Sequence, residues 1–358
     1  VVTVTIYVYP ADTYGCGHFR LIWPAQALAA QGHNVRVMMP SARGAFNAAI
    51  RADGSVARVH LPEDAELVVM QRVTHVHMAA AIPVIRAQGV AVVVDNDDDL
   101  SAIHPANPAF TAMHPHWAAR TGHSWEAAAV AAREATLATV STPALARRYG
   151  RPGTARVLHN YLPPEYHAVP HVDSDLIGYA GSLHSHPDDV PQLGDSIRRL
   201  VEDDGHRFRV VSDGTGMESA LGLSAEPEAT GAVPIGAWPA AVAQLGVGVA
   251  PLADSVFNAG KSWLKPLEYS ALGVPWVASP RAEYAEFHRR TGVGFLARRS
   301  RDWYRLLRRL AVDAGLRAEQ SAAGREATAE MTYAAQAWRW AEVWAEAIDI
   351  QQGRRTAA

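Results

Sequence analysis

Short runs of valine, isoleucine and leucine alternate with alanine-rich stretches of helical length along the whole chain. In the first half the apolar runs predict strands over 2–9, 35–39, 67–71, 90–95, 138–141 and 155–158. Helices are predicted between them over 19–31, 78–88, 124–136 and 143–149. VAVVV at 90–94 is apolar without a break, the pattern of a strand covered on both faces of a parallel sheet. The alternation stops at YLPPEYHAVPHVDSD, 161–175, which carries three prolines and no periodicity and reads as a linker. A second alternation follows, with strands near 176–180, 207–212, 247–251, 275–278 and 293–296. Its helices are predicted over 189–203, 238–244, 266–272 and 301–311, with a long Ala/Trp/Glu-rich pair running to 350. Repeated strand–helix–strand units predict an α/β chain of two Rossmann-like, doubly wound domains facing a cleft. Ligands of such folds lie at the carboxyl ends of the strands.

Composition narrows the class. At 358 residues the chain is long enough for two domains, and 49% hydrophobic against 19% charged residues excludes a disordered one. A net charge of −3 argues against a broad electrostatic grip on nucleic acid, though not against a small basic pocket. The single cysteine, Cys16, excludes an internal disulfide and fits a reducing compartment. No apolar run approaches the ~20 residues of a membrane span. VTVTIYVY leads into a strand with no basic stretch before it, so no secretion signal is expected. The expectation is a cytoplasmic protein without integral membrane association.

The basic residues are unevenly chosen. Of 33, only Lys261 and Lys265 are lysine, and all others are arginine. Two lysines this close, against that background, point to a site that wants a compact ammonium rather than a planar guanidinium. They lie in NAGKSWLKPLEYSALGVPWVAS, 258–279, where Pro266 is expected at the first helical position and Glu268 in the first turn. Lys261, Ser262, Lys265 and Glu268 then suit a nucleoside diphosphate, with phosphates on the cations and open amides and ribose hydroxyls on the glutamate.

Other segments carry weaker signals. Gly15 and Gly17 in YGCGHFR follow the first strand, where glycine lets a phosphate or sugar approach the backbone, although glycine also serves simply to turn. Gly181 and Ser182 in GYAGSLHSHPDD occupy the matching place in the second half, with a helix expected after them. DNDDDL at 95–100 puts four carboxylates at the end of the fourth strand. It reads as a solvated capping loop, a general base, a clamp for sugar hydroxyls or a site for a hard divalent cation. His104, His114, His116, His184 and His186 show no zinc-ligand spacing. RRSRDWYRLLRRL at 298–310 reads as a solvated helix face.

Together these stretches resemble a GT-B glycosyltransferase, most similar to the large retaining group that uses nucleotide-diphosphate sugars (family 4-like). The likeness runs from GCGHFRLIWPAQALAAQGHNVRV through VVVDNDDDL, VSTPALARRYG and VLHNYLPPEY to IGYAGS and VGVAPL. KSWLKPLEYSALGVPWVAS is its most specific part. The resemblance implies an acceptor-binding domain at 1–165, a nucleotide-sugar-binding domain at 166–332, and a helix at 333–358 returning to the first.

Glu268 matches the second glutamate of the family's E-x7-E motif, which implies a ribose contact. The first falls on Gly260, and the family's basic pair falls near Ser182 and Asp188, so Lys261 and Lys265 are the replacements. Asp97, followed by Asp98, stands where many members carry a histidine and would orient or deprotonate an acceptor hydroxyl. Gly15, Gly17, Gly181 and Ser182 join the donor-binding candidates. The implied reaction moves a sugar from a nucleoside-diphosphate-sugar to an acceptor hydroxyl with retention, and no metal or cofactor is expected. The acceptor stays open: protein, lipid, small molecule or modified nucleic acid. A sugar-nucleotide epimerase or hydrolase on the same fold, or a non-catalytic sugar-nucleotide-binding protein, are the alternatives.

Overall fold

A computed structural model describes residues 4–40 and 47–354. The chain divides into two compact units, one of Val1–Pro105, Ala109–Asn160 and Tyr333–Ala358, the other of Ala106–Pro108 and Tyr161–Thr332. Both are built on a parallel sheet.

In the first unit the sheet contains β1 (Thr5–Tyr9), β2 (Asn34–Val37), β5 (Leu67–Gln71), β6 (Ala91–Asn96), β7 (Leu137–Val140) and β8 (Ala155–Val157). Between β2 and β5 an antiparallel pair, β3 (Asn47–Ile50) with β4 (Val56–His60), forms a separate two-stranded sheet that the apolar pattern does not announce. β3 is exposed along its length, so it carries no core periodicity to read. The main order is β2-β1-β5-β6-β7-β8. It reverses direction between β1 and β5, and a doubly wound sheet presents its binding crevice at such a switch point. Every residue of β5 and β6 is buried, as continuous apolar runs in a parallel sheet should be. The helix Trp338–Gln351 belongs to this unit and buries Trp340 and Trp344 in its core.

The second unit has β9 (Ile177–Ala180), β10 (Phe208–Val211), β11 (Glu228–Ala229), β12 (Val247–Ala250), β13 (Trp276–Ala278) and β14 (Phe295–Leu296). Their order, β11-β10-β9-β12-β13-β14, is that of a Rossmann sheet, with the switch between β9 and β12. Ser300–Val312 packs Trp303, Leu307 and Leu310 into its core, leaving Arg305 and Arg308 outside. No helix among the described residues is long and apolar enough to cross a membrane.

Three expectations about local structure need correction. The helix expected over 189–203 is broken into a 3-10 turn at Val190–Leu193, a short α turn at Ser196–Arg198 and a π turn at Arg199–Asp203. Gly194, at φ +58 and ψ −136, takes a positive-φ conformation open to glycine that ends the first piece. The proline-rich stretch from 161 is packed rather than a free linker, because Tyr161, Leu162 and Tyr166 are buried in the second unit. The key helix begins at Leu264, not Pro266, so Glu268 is its fifth residue and lies beyond the first turn. Proline is tolerated at the third position because the first-turn N–H groups have no partner inside the helix anyway.

Candidate functional site

The switch point of the second unit gathers the lysines. The helix Leu264–Leu272 is buried on nearly every side and ends at Gly273, whose φ of +76 is left-handed. Lys265 leaves its first turn and donates to the carbonyl oxygen of Ala180 at 2.8 Å, at the carboxyl end of β9. Its ammonium also sits 5.2 Å from the centroid of the Tyr179 ring. Burial lowers the Lys265 pKa, with Lys261 pushing in the same direction and Glu268 and Asp189 opposing. Gly181 makes room for it: with φ at +148, a Cβ there would lie 2.7 Å from the Lys265 Nζ and 3.2 Å from the Tyr179 hydroxyl. Here the backbone conformation favours glycine, and a side chain would push the ammonium aside. Lys261 stacks its Nζ 4.3 Å from the Phe257 ring centroid.

Around these cations lies a polar shell of which sequence reading named only His186. Asp189 is buried and accepts from the Ala253 N–H at 2.9 Å and from Asn258 Nδ2 at 2.6 Å. Burial raises its pKa. His186 lies 3.9 Å from the second Asp189 oxygen, and burial, then Lys261 and Lys265, hold its pKa well below the usual imidazole range. It is therefore neutral at pH 7. The Tyr179 hydroxyl and Asn258 Oδ1 are buried with no hydrogen-bond partner among the described residues.

Glu268, three residues on from Lys265, is 6% exposed. Its Oε1 accepts from the Tyr166 hydroxyl at 3.1 Å and from Trp238 Nε1 at 2.9 Å. Burial pushes its pKa up to about 7, against the opposing pull of Lys265 and these two donors. Ser262 precedes the helix, whose N-cap residue Trp263 makes no capping hydrogen bond with its own side chain. Turns follow Ser182 as far as Val190, where a 3-10 turn stands in place of the start of the helix expected over 189–203, with Pro187 and Pro191 in the segment. The lysine side chain, rather than a helix terminus, therefore supplies positive charge beside Gly181.

In the first unit Gly15 and Gly17 form the opening helical turn rather than a loop before it. Gly17 has a packing reason: a Cβ there would lie 1.9 Å from the Asp12 carbonyl oxygen. The acidic loop is neutralised residue by residue. Asp95 is fully buried and bound by Arg20 through two bonds, Nε to Oδ1 at 3.0 Å and Nη2 to Oδ2 at 2.8 Å. Arg72 donates to both oxygens of Asp97, at 2.5 and 2.9 Å, and to Asp98 at 2.8 Å. Asp99 caps the turn at Leu100–Ala102 and meets Arg148 at 3.2 Å.

Arg72 was not foreseen as a site residue. It follows β5 at the first unit's switch point, with φ +46, a conformation rare outside glycine. Burial pushes the Cys16 thiol up to about 12, so it stays protonated. Among the described residues no group of three or more His, Cys, Asp or Glu is arranged to hold a metal ion.

No family model matches the chain, and no curated protein matches it in sequence. Solved structures do. Sucrose-phosphate synthase of Thermosynechococcus elongatus superposes with TM-score 0.62 at 13% identity, over 96% of this chain and 98% of that one. HepE of Anabaena, solved with UDP-glucose, gives TM-score 0.62 at 12% identity, over 96% and 99%. The catalytic domain of starch synthase IV of Arabidopsis thaliana, bound to ADP and acarbose, gives 0.59 at 9% identity, over 97% and 99%. At such identities the likeness speaks for architecture, and in architecture the chain is a GT-B protein with two Rossmann-like units.

Proposed function

We propose that this chain is a glycosyltransferase that moves a sugar from a nucleoside-diphosphate-sugar to an acceptor hydroxyl, with retention at the anomeric carbon. The observation that carries the reading is the pair of lysines, the only two in the chain, at the switch point beside Gly181 with the buried Glu268 one turn away. Structures of the same fold that hold UDP-glucose or ADP support it.

In this reading Lys261, Lys265 and the amides near Ser262 bind the diphosphate, and Glu268 binds the ribose. As the bond from anomeric carbon to phosphate oxygen breaks, its electron pair goes to the diphosphate, the acceptor oxygen forms the new bond to that carbon, and the acceptor's proton passes to the departing phosphate oxygen. The two ammonium groups stabilise that charge in a partly desolvated setting where each is worth most. Asp97 and Asp98 orient the acceptor hydroxyl. Their bonds from Arg72 hold both carboxylates in place as hydrogen-bond acceptors. No metal enters this scheme, and the work is assigned to the cytoplasm.

A melting-temperature screen against UDP-, ADP-, GDP- and dTDP-sugars tests the reading, since a ligand that binds only the native state raises the melting temperature. One donor class should stabilise the protein and, with acceptor present, release its nucleotide. No shift with any of the four would sink the proposal. Binding without turnover across a broad acceptor panel would favour a sugar-nucleotide-binding protein, the reading that Gly260 in place of a glutamate supports.

A further inference from the structure

Glu268 is held in a way its own helix does not explain. Both hydrogen bonds to its carboxylate fall on one oxygen, Oε1, and both donors come from distant segments. Among the described residues Oε2 receives none. Each donor is itself locked. Tyr166 is 2% exposed, in the 3-10 turn Pro164–Ala168. Arg325 braces that turn by donating to the carbonyls of His167 and Val169 at 2.9 Å each. The same guanidinium donates to the Leu272 carbonyl at 2.8 Å, at the far end of the Glu268 helix. Trp238 is fixed from the other side, because Ala237 and Trp238 both donate their N–H to the Pro234 carbonyl at 2.9 and 3.0 Å.

We propose that Tyr166 and Trp238 are positioning residues that pin Oε1 and turn Oε2 outward, so that Glu268 reads the vicinal hydroxyls of a ribose and selects ribonucleotides over 2′-deoxyribonucleotides. The idea rests on the donor reading above and extends it to two side chains outside the lysine helix. A carboxylate rigidly held by one oxygen accepts from a diol without first losing its own freedom. The two donors also favour the charged carboxylate over the acid, which burial opposes. Lys265 on the same helix, the Tyr166, Tyr269 and Tyr284 phenols, and Arg325 beyond them are the other charged or titratable groups around it. Of these groups it is the carboxylate, pushed up to about 7, that titrates near neutral pH.

The test uses the full chain and titration calorimetry from pH 6 to 8. The ligands are whichever of UDP, ADP or GDP binds the parent most tightly and its 2′-deoxy counterpart. The parent should prefer the ribonucleotide at least tenfold, and its ribonucleotide affinity should rise with pH. Trp238→Phe and Tyr166→Phe, which keep the rings, should each cut that preference at least threefold. Each should also move the pH midpoint upward, since a lost donor makes the carboxylate harder to ionise, while affinity for the 2′-deoxy ligand stays near parental. Parental preference and midpoint in both variants would overturn the positioning role while leaving the donor site standing. If none of the three binds the parent but dTDP does, the ribose selection fails while the donor site stands; if dTDP does not bind either, the donor reading fails first and this inference with it.

Discussion

Both units gather charge at the carboxyl edge of a parallel sheet, where the strand order reverses, and they handle it in opposite ways. In the first, each of the four carboxylates from Asp95 to Asp99 is matched by a guanidinium: Arg20, Arg72 and Arg148. In the second, Lys265 spends its one hydrogen bond among the described residues on a neutral carbonyl, and the buried Asp189 is answered by an amide and a backbone N–H. Carboxylates matched in this way are neutralised within the fold itself. A cation whose ammonium form is already disfavoured by burial gains most when an anion arrives.

The largest expected effect breaks the matched side. Arg20→Ala leaves Asp95 fully buried and unpaired, which should cost about 3–5 kcal/mol and show as a clear loss in denaturant midpoint for the first unit. Parental stability would mean the pair is dispensable. On the unmatched side, Lys265→Ala should weaken nucleotide-diphosphate binding by roughly 10- to 150-fold, the equivalent of losing a charge-assisted contact of about 1.5–3 kcal/mol. The fold should survive, and Lys265→Arg should restore only part of the affinity because a fork meets the phosphates with different geometry. If the Lys261→Ala/Lys265→Ala double variant binds as the parent does, the contrast between the two edges has no functional meaning.

A third test sits on the first unit's own chemistry. Asp97→Asn should lower turnover by about 10- to 100-fold with donor affinity unchanged. A loss well above that range would point to a base rather than a hydrogen-bonding clamp.

A last test concerns pH. The folded-state pKa of Glu268 is raised, to about 7 from 4.5, so its proton is held more tightly in the folded than in the unfolded chain. Its contribution favours folding below pH 4.5 and is lost as pH rises towards 7. Stability should fall gently across that window and level off above it, and Glu268→Gln should flatten the slope.

Much of this was legible in the residues. β5 and the helix Pro143–Tyr149 fall where the pattern puts them, because buried parallel strands are continuous in valine and leucine and a Thr-Pro pair marks a helix start. The lysine helix was legible from its rarity, although its start was misplaced by two residues, since proline tolerates the third helical position as well as the first. Arg72, Tyr166 and Trp238 were not legible. Arg72 meets Asp97 across 25 positions, Trp238 meets Glu268 across 30, and Tyr166 meets it across 102, so only the folded chain brings them together. The β3–β4 pair escaped for a different reason: a two-stranded excursion with one strand wholly exposed has no buried face to impose a period.

The placement of the last long helix has a consequence for how the protein is made. Trp340 and Trp344 fill the core of the first unit, and the Tyr333 hydroxyl donates to the Phe19 carbonyl of that unit, yet all three residues leave the ribosome after the second unit is complete. Chains emerge in order and domains fold as units. The earlier-synthesised half must therefore wait, with its sheet formed but one wall open, while the later-synthesised half can finish first. During that interval the unfilled face is the stretch of nascent chain most in need of protection from its neighbours.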